Sequence, residues 1–162
     1  NFPSPSKLTK EDLYKELGWD GYVDDPNWAN TCAVRLSYGL IKSGFIPPSG
    51  RERIREGPYR GEKIEPGQEA LSKILARKET EGGLGRPEIV SGRQSGNPFK
   101  DKHGIISFMR IPSYQNASGA LSGHMDLLSH EVYKFWIFAW ETSSCIGSCY
   151  WEAKEYWFWE LK

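Results

Sequence analysis

An α+β domain with its helices ahead of its strands is the fold class this sequence predicts. Three observations lead there. Apolar residues recur at helical spacing in three segments of the first half, short β-rich runs replace them beyond Arg86-Pro87, and a chain of 162 residues suits one domain, here residues 1–162, with one sizeable core.

Taken in order, residues 1–8, with Phe2-Pro3-Ser4-Pro5-Ser6, read as a flexible arm. Thr9 then offers an N-cap to a helix over Lys10 to Leu17, whose Leu13, Tyr14 and Leu17 share a face, and Gly18 ends it. The segment Gly21 to Asn27 contains Asp24-Asp25-Pro26 and is expected to be a loop. A second helix follows over Thr31 to Ser43, with Asn30 as N-cap, Val34, Leu40 and Ile41 among its apolar positions, and Gly44 past its end. Ser49 to Pro66 is rich in Arg, Glu and Gly and reads as a long surface loop. Ala70, Leu71, Ile74 and Leu75 then place a third helix across Gly67 to Lys78, and Gly82-Gly83 stops it. Strand signals come next: Ile89-Val90, Gly104 to Met109, Gly123 to Leu128 and Val132 to Phe138.

Charge and hydropathy exclude several classes. With 21 basic and 21 acidic residues there is no global field to draw the chain to nucleic acid or to an anionic membrane. Apolar runs such as Phe135 to Trp140 fall well short of the ~20 residues that span a bilayer, so no membrane insertion is expected. Asn1 stands where a start methionine would, which suggests a chain excised from a longer protein. Five of the seven tryptophans, Trp136, Trp140, Trp151, Trp157 and Trp159, crowd the last part of the chain. Packing of edge strands is their first reading, with a sugar-ring platform or a partner surface as the alternative.

The cysteines divide two and one. Cys145 and Cys149, in Cys145-Ile146-Gly147-Ser148-Cys149, are spaced to close a short disulfide loop in an oxidising compartment. No histidine forms a second close ligand pair with a cysteine, so a zinc site is not expected, nor is a cofactor. Cys32 is the odd thiol, in the first turn of the second helix, where unpaired N–H groups and the macrodipole favour a thiolate. Its alternative is a small buried hydrophobe. His124, in Gly123-His124-Met125-Asp126-Leu127, lies on a strand and shares a face with Asp126, nearly 7 Å along at the strand repeat. A thiol and an imidazole are the minimum for a cysteine nucleophile and its base, with Asp126 to orient the ring or, equally, a residue on a neighbouring strand or loop. A core histidine bonded to backbone is the competing role. His103 and His130 sit beside turn-like residues and are read as surface groups.

Four ordered blocks carry a family resemblance: Asn30-Thr31-Cys32-Ala33-Val34-Arg35-Leu36-Ser37, Gly85-Arg86-Pro87-Glu88-Ile89-Val90, Lys102-His103-Gly104-Ile105-Ile106 and Gly123-His124-Met125-Asp126-Leu127-Leu128. Together they resemble the type VI secretion amidase effectors, family four, in order from about Trp28 to Leu128. The resemblance implies a papain-like fold of the NlpC/P60 kind, in which a helix presents the cysteine to a small antiparallel sheet bearing the histidine. It also implies hydrolysis of the γ-D-glutamyl to diaminopimelate bond of peptidoglycan stem peptides in the periplasm of a target cell. A secretion-apparatus carrier would deliver the protein, and a cognate immunity protein would neutralise it in its producer. By position Cys32 matches the family nucleophile and His124 the base. The family's third member is an aspartate within the cysteine-flanked loop, and here that loop holds no acid. Asp126, Glu141 or a loop serine takes its place, and Asp126 is chosen. Arg51, Arg53, Arg55 and Arg60 are candidates to meet the substrate's carboxylates, against a plain solvated loop. Arg35, one helical turn from Cys32, is read as a structural partner. Alternatives to the amidase are a non-catalytic wall-binding or interaction module and a cysteine amidase acting on a protein.

Overall fold

Among the described residues, three helices form where Ser/Thr, Asn or Gly signals bracket helical periodicity: α1 (Lys10–Leu17), α2 (Cys32–Lys42) and α3 (Gln68–Leu75). The computed structural model describes residues 2–92, 94, 98–99, 101–115, 119–128 and 150–161. By their contacts these fall into two units, residues 1–85 and residues 86–162.

In the first unit, the Thr9 hydroxyl accepts the Asp12 N–H at 3.1 Å and Gly18, at φ 70, closes the C-terminus of α1, as the sequence predicts. Leu13, Tyr14 and Leu17 from α1 meet Val34, Tyr38 and Ile41 from α2, with Trp19, Ile54 and Ile64 completing the core. Every residue of α2 from Cys32 to Ile41 is buried. Such a helix is held by packing on all sides rather than by propensity. The loop over Gly21 to Asn27 contains short 3₁₀ turns, Asp20–Tyr22 and Pro26–Trp28.

Two expectations change here. The arm at residues 1–8 is fastened: Pro3 is buried, and the Arg35 guanidinium on α2 donates to the Pro3 and Leu8 carbonyls, both at 2.7 Å. The loop at Ser49 to Pro66 contains a small antiparallel ladder, β1 (Glu52–Arg53) with β2 (Lys63–Ile64). It is anchored by Ile54 and Ile64, both buried, and by the Trp19 indole N–H, which donates to the Arg53 carbonyl at 2.8 Å. Helix α3 ends three residues early; a 3₁₀ turn, Glu79–Glu81, follows, and the Leu84 N–H returns to the Leu75 carbonyl.

The second unit is an antiparallel sheet of β3 (Glu88–Ser91), β4 (Gly104–Gln115), β5 (Leu121–Leu128) and β6 (Glu155–Glu160) in the order β3-β6-β4-β5. The fold class is therefore α+β. Strand β6 is central, not an edge: Tyr156 lies between Val90 of β3 and Phe108 of β4. A strand with neighbours on both sides buries Tyr156, Phe158 and Trp159, which explains why aromatics occupy both of its faces. Phe99, Ile106, Phe108, Ile111, Leu128, Ala153, Tyr156 and Phe158 pack one core on this sheet. A register shift in β4 between Phe108 and Ile111 places Arg110 at φ 56, where it pairs with Glu155 at 2.6 Å. The expected strand Val132 to Phe138, together with Trp136, Trp140, His130, Glu141 and the Cys145 to Cys149 loop, lies outside the described residues.

Candidate active site

The thiol is set by the chain just before it. Tyr22 and Trp28 stack with centroids 4.1 Å apart and planes 5° off parallel, and the Tyr14 hydroxyl donates to the Trp28 carbonyl at 2.7 Å. Two residues on, Asn30 Oδ1 accepts the N–H of Cys32 at 3.1 Å. The N-cap position belongs to Thr31, one residue later than predicted, and its hydroxyl accepts from Arg35 Nε at 2.9 Å instead of capping. Asn30 still satisfies one first-turn donor, which is the service an N-cap performs. Cys32 is a free thiol, 8 % exposed, at the positive end of a helix macrodipole. Burial raises the Tyr14 pKa to about 12 against a smaller opposing pull from the Arg35 charge, so this phenol stays neutral and keeps donating. Arg35 itself is buried, its pKa lowered by desolvation, and its guanidinium is spent on Thr31, Pro3 and Leu8. It is a structural residue, as the sequence reading has it.

The imidazole sits in the second unit. His124 on β5 stands opposite Phe108 on β4, its side chain 19 % exposed. Alternation along the strand puts Asp126 on the same face, and its Oδ2 comes within 3.8 Å of His124 Nε2. That is an ion-pair distance and too long for a hydrogen bond. The other oxygen, Oδ1, accepts the Leu127 N–H at 2.8 Å. Against the ring of His124 lies Tyr150, 4.5 Å between centroids and 9° from parallel. No local pattern in the sequence ties Tyr150 to His124, which lies far back along the chain. His103 is exposed, as expected.

The candidate arginines are largely engaged near home. Arg51 Nε and one terminal nitrogen both reach Glu65 Oε1, at 2.8 and 2.6 Å, and Glu65 is 3 % exposed. The Gly67 N–H donates to the same oxygen at 2.8 Å, so the buried carboxylate has its partners. Arg53 donates to the Gly61 carbonyl, and Arg55 lies over the Tyr22 ring and donates to its hydroxyl at 3.1 Å. Among the described residues, no three His, Cys, Asp or Glu side chains group to hold a metal, and no helix is long and apolar enough to cross a membrane.

In class, this is a small α+β protein with a free thiol opening a buried helix and an imidazole beside a carboxylate on an antiparallel sheet. The chain belongs to the type VI secretion system (T6SS) amidase effector protein 4 family, Tae4, whose model matches residues 28–159. It is similar to a chain in the crystal structure of the type VI effector–immunity complex Tae4–Tai4 from Enterobacter cloacae, at 20 % identity and a TM-score of 0.61, covering 98 % of this chain and 92 % of that one. It also resembles the crystal structure of the type VI effector Tae4 from Enterobacter cloacae, at 21 % identity and a TM-score of 0.58, over 94 % of this chain and 86 % of that one. At these identities the likeness bears on the fold alone. No curated protein matches the chain.

Proposed function

We propose that this amidase effector is a papain-like cysteine hydrolase of the NlpC/P60 kind that cleaves the γ-D-glutamyl to diaminopimelate bond of peptidoglycan stem peptides, with Cys32 as nucleophile and His124 as base. The observation that carries the reading is the family match itself, whose span of residues 28–159 contains both side chains. The position of Cys32 in the first turn of α2 supports it, because backbone N–H groups at a helix start are suited to meet the oxyanion of an acyl-transfer intermediate.

In this mechanism His124 takes the Cys32 proton and the thiolate attacks the stem-peptide carbonyl. The tetrahedral intermediate collapses, the C–N bond breaks, and His124 returns the proton to the departing amine. Water, deprotonated by His124, then attacks the thioester, releasing the carboxylate and restoring the thiol. Asp126, whose Oδ2 lies 3.8 Å from His124 Nε2, is the carboxylate assigned to the ring and stabilises its charged form. No cofactor enters these steps. The two units work as one catalytic domain. Action in the periplasm of a target cell follows from the substrate, and delivery from a secretion-apparatus carrier. The effector–immunity complex in which a similar chain was crystallised supports a cognate immunity protein for this one.

The test is incubation of the protein with purified sacculi and mass spectrometry of the products. Muropeptides cut between glutamate and diaminopimelate are expected from the native chain and none from Cys32→Ala or His124→Ala. Release of the same products by folded Cys32→Ala refutes the cysteine mechanism, and sacculi left intact by the native chain refute the substrate.

A further inference from the structure

A histidine on a strand does not hold its own ring. Its second side-chain torsion is broad and two-fold, so something outside the residue must choose the plane in which the ring nitrogens lie. A carboxylate hydrogen-bonded to one nitrogen is the usual solution. Here Asp126 stops at 3.8 Å, with Oδ1 accepting from the Leu127 N–H. The face of the ring is covered by Tyr150, at 4.5 Å and 9°, with Phe108 further off at 6.3 Å and 30°.

Tyr150 is itself well fixed. Its ring meets Phe108 at 5.3 Å and 31° and Tyr114 of β4 at 5.9 Å and 65°. Its hydroxyl lies 3.4 Å from that of Tyr114. It opens a 3₁₀ turn, Tyr150–Glu152, closed by the Ala153 N–H on the Tyr150 carbonyl at 3.0 Å. The Tyr156 hydroxyl of β6 donates to the next carbonyl, that of Trp151. The turn is thus tied to the sheet that carries His124.

From this geometry we propose that Tyr150 is a positioning residue for His124, setting the imidazole plane by stacking and favouring its protonated form. The inference rests on the assignment of His124 as the base. A stack suits that task because it uses neither ring nitrogen, leaving the proton traffic to the ring edge. The electron-rich face of a phenol also attracts a cation, so the imidazolium gains more from it than the neutral ring does. Among the described residues, the titratable groups placed against the ring are Asp126 from its own strand and Tyr150 from the turn, with Tyr114 of β4 behind Tyr150. Of these, Tyr150 alone covers the ring face.

Tyr150→Phe, Tyr150→Trp and Tyr150→Leu in the full chain test this. The titration midpoint of His124 is read by proton NMR, assigned with His124→Gln, and kcat and KM are measured on solubilised peptidoglycan. Phe and Trp keep a flat ring and are expected to stay near the native values. Leu is expected to lower kcat about tenfold with KM nearly unchanged. It should also lower the His124 midpoint by about half a pH unit, carrying the acid limb of kcat/KM down with it. A native midpoint and kcat in Tyr150→Leu overturn the proposal, as does a Phe variant as impaired as Leu, which would point to the hydroxyl. If Leu fails to fold, Tyr150→Met replaces it under the same criteria. The NMR midpoint does not depend on catalysis. Full activity in His124→Ala would remove the base assignment while leaving the stacking measurement standing, so the two failures are distinguishable.

Discussion

Replacing Arg35 by leucine should release the opening segment of the chain from the helix it lies on. The guanidinium is 3 % exposed and donates to Thr31 Oγ1 at 2.9 Å and to the carbonyls of Pro3 and Leu8 at 2.7 Å each. Hydrogen bonds from a charged donor contribute about 1.5–3 kcal/mol apiece, and each carbonyl left unsatisfied in the interior costs about 1–3 kcal/mol. Against this stands the cost of keeping an ion out of water, several kcal/mol, which the apolar variant recovers. The net loss is about 3 kcal/mol. With a urea dependence of about 2 kcal/mol/M, the unfolding midpoint should fall by about 1.5 M. Arg35→Lys should lie between the two, since one ammonium cannot span three acceptors. Limited proteolysis gives a local check, because cleavage after Lys7 should accelerate in the leucine variant well below the unfolding midpoint. A midpoint within about 0.3 M of native, or unchanged cleavage after Lys7, would refute this account of the arm.

Two further outcomes follow from packing and ionisation. A Cβ on Gly104 would collide with the Trp159 carbonyl and sit 2.7 Å from the Phe158 ring, so Gly104→Ala should force β4 from β6 and cost about 3 kcal/mol in thermal unfolding; an unchanged melting temperature sinks the register assigned to that pair. Tyr14, with its pKa raised from 10.0 to about 12, contributes stability that is complete below pH 10 and is lost as pH rises through 12, to a limit of about 3 kcal/mol. Tyr14→Phe should cost about 1 kcal/mol at neutral pH, through the bond to the Trp28 carbonyl, and flatten the alkaline fall. Tyr38, whose pKa is also raised by burial and by its bond to Glu16, keeps its own share of that fall. An alkaline slope identical in Tyr14→Phe contradicts the assignment.

What the sequence revealed tracks how local each determinant is. Helix α1 was readable to the residue because Thr9 and Gly18 act within one turn of their own positions. The ladder of β1 and β2 was not, because its strands are two residues each and its anchors, Ile54 and Ile64, are single residues in a charged segment. Strand β6 carried its signal in plain view, as aromatics on both faces. The central position was hidden because it depends on pairing with β3 and β4, both far back in the chain. The same division holds for the candidate site. Cys32 and its helix start, and the shared face of His124 and Asp126, are consequences of helix and strand periodicity. The Asn30 bond to the Cys32 N–H and the Tyr150 stack depend on side-chain torsions and long-range pairing, which no spacing encodes.

The strand order also sets a timetable for synthesis. Ribosomes release β3, β4 and β5 before β6, yet among the described strands β3 is hydrogen-bonded only to β6. Until residues 155–160 emerge, the nascent chain can form the β4–β5 hairpin with His124 on it, but Val90 has no cross-strand neighbour and Phe108 lacks Tyr156. The core around the imidazole is therefore the last part of this unit to close. A translation product that stops short of Glu155 carries both the thiol and the imidazole and still lacks the strand that joins β3 to β4.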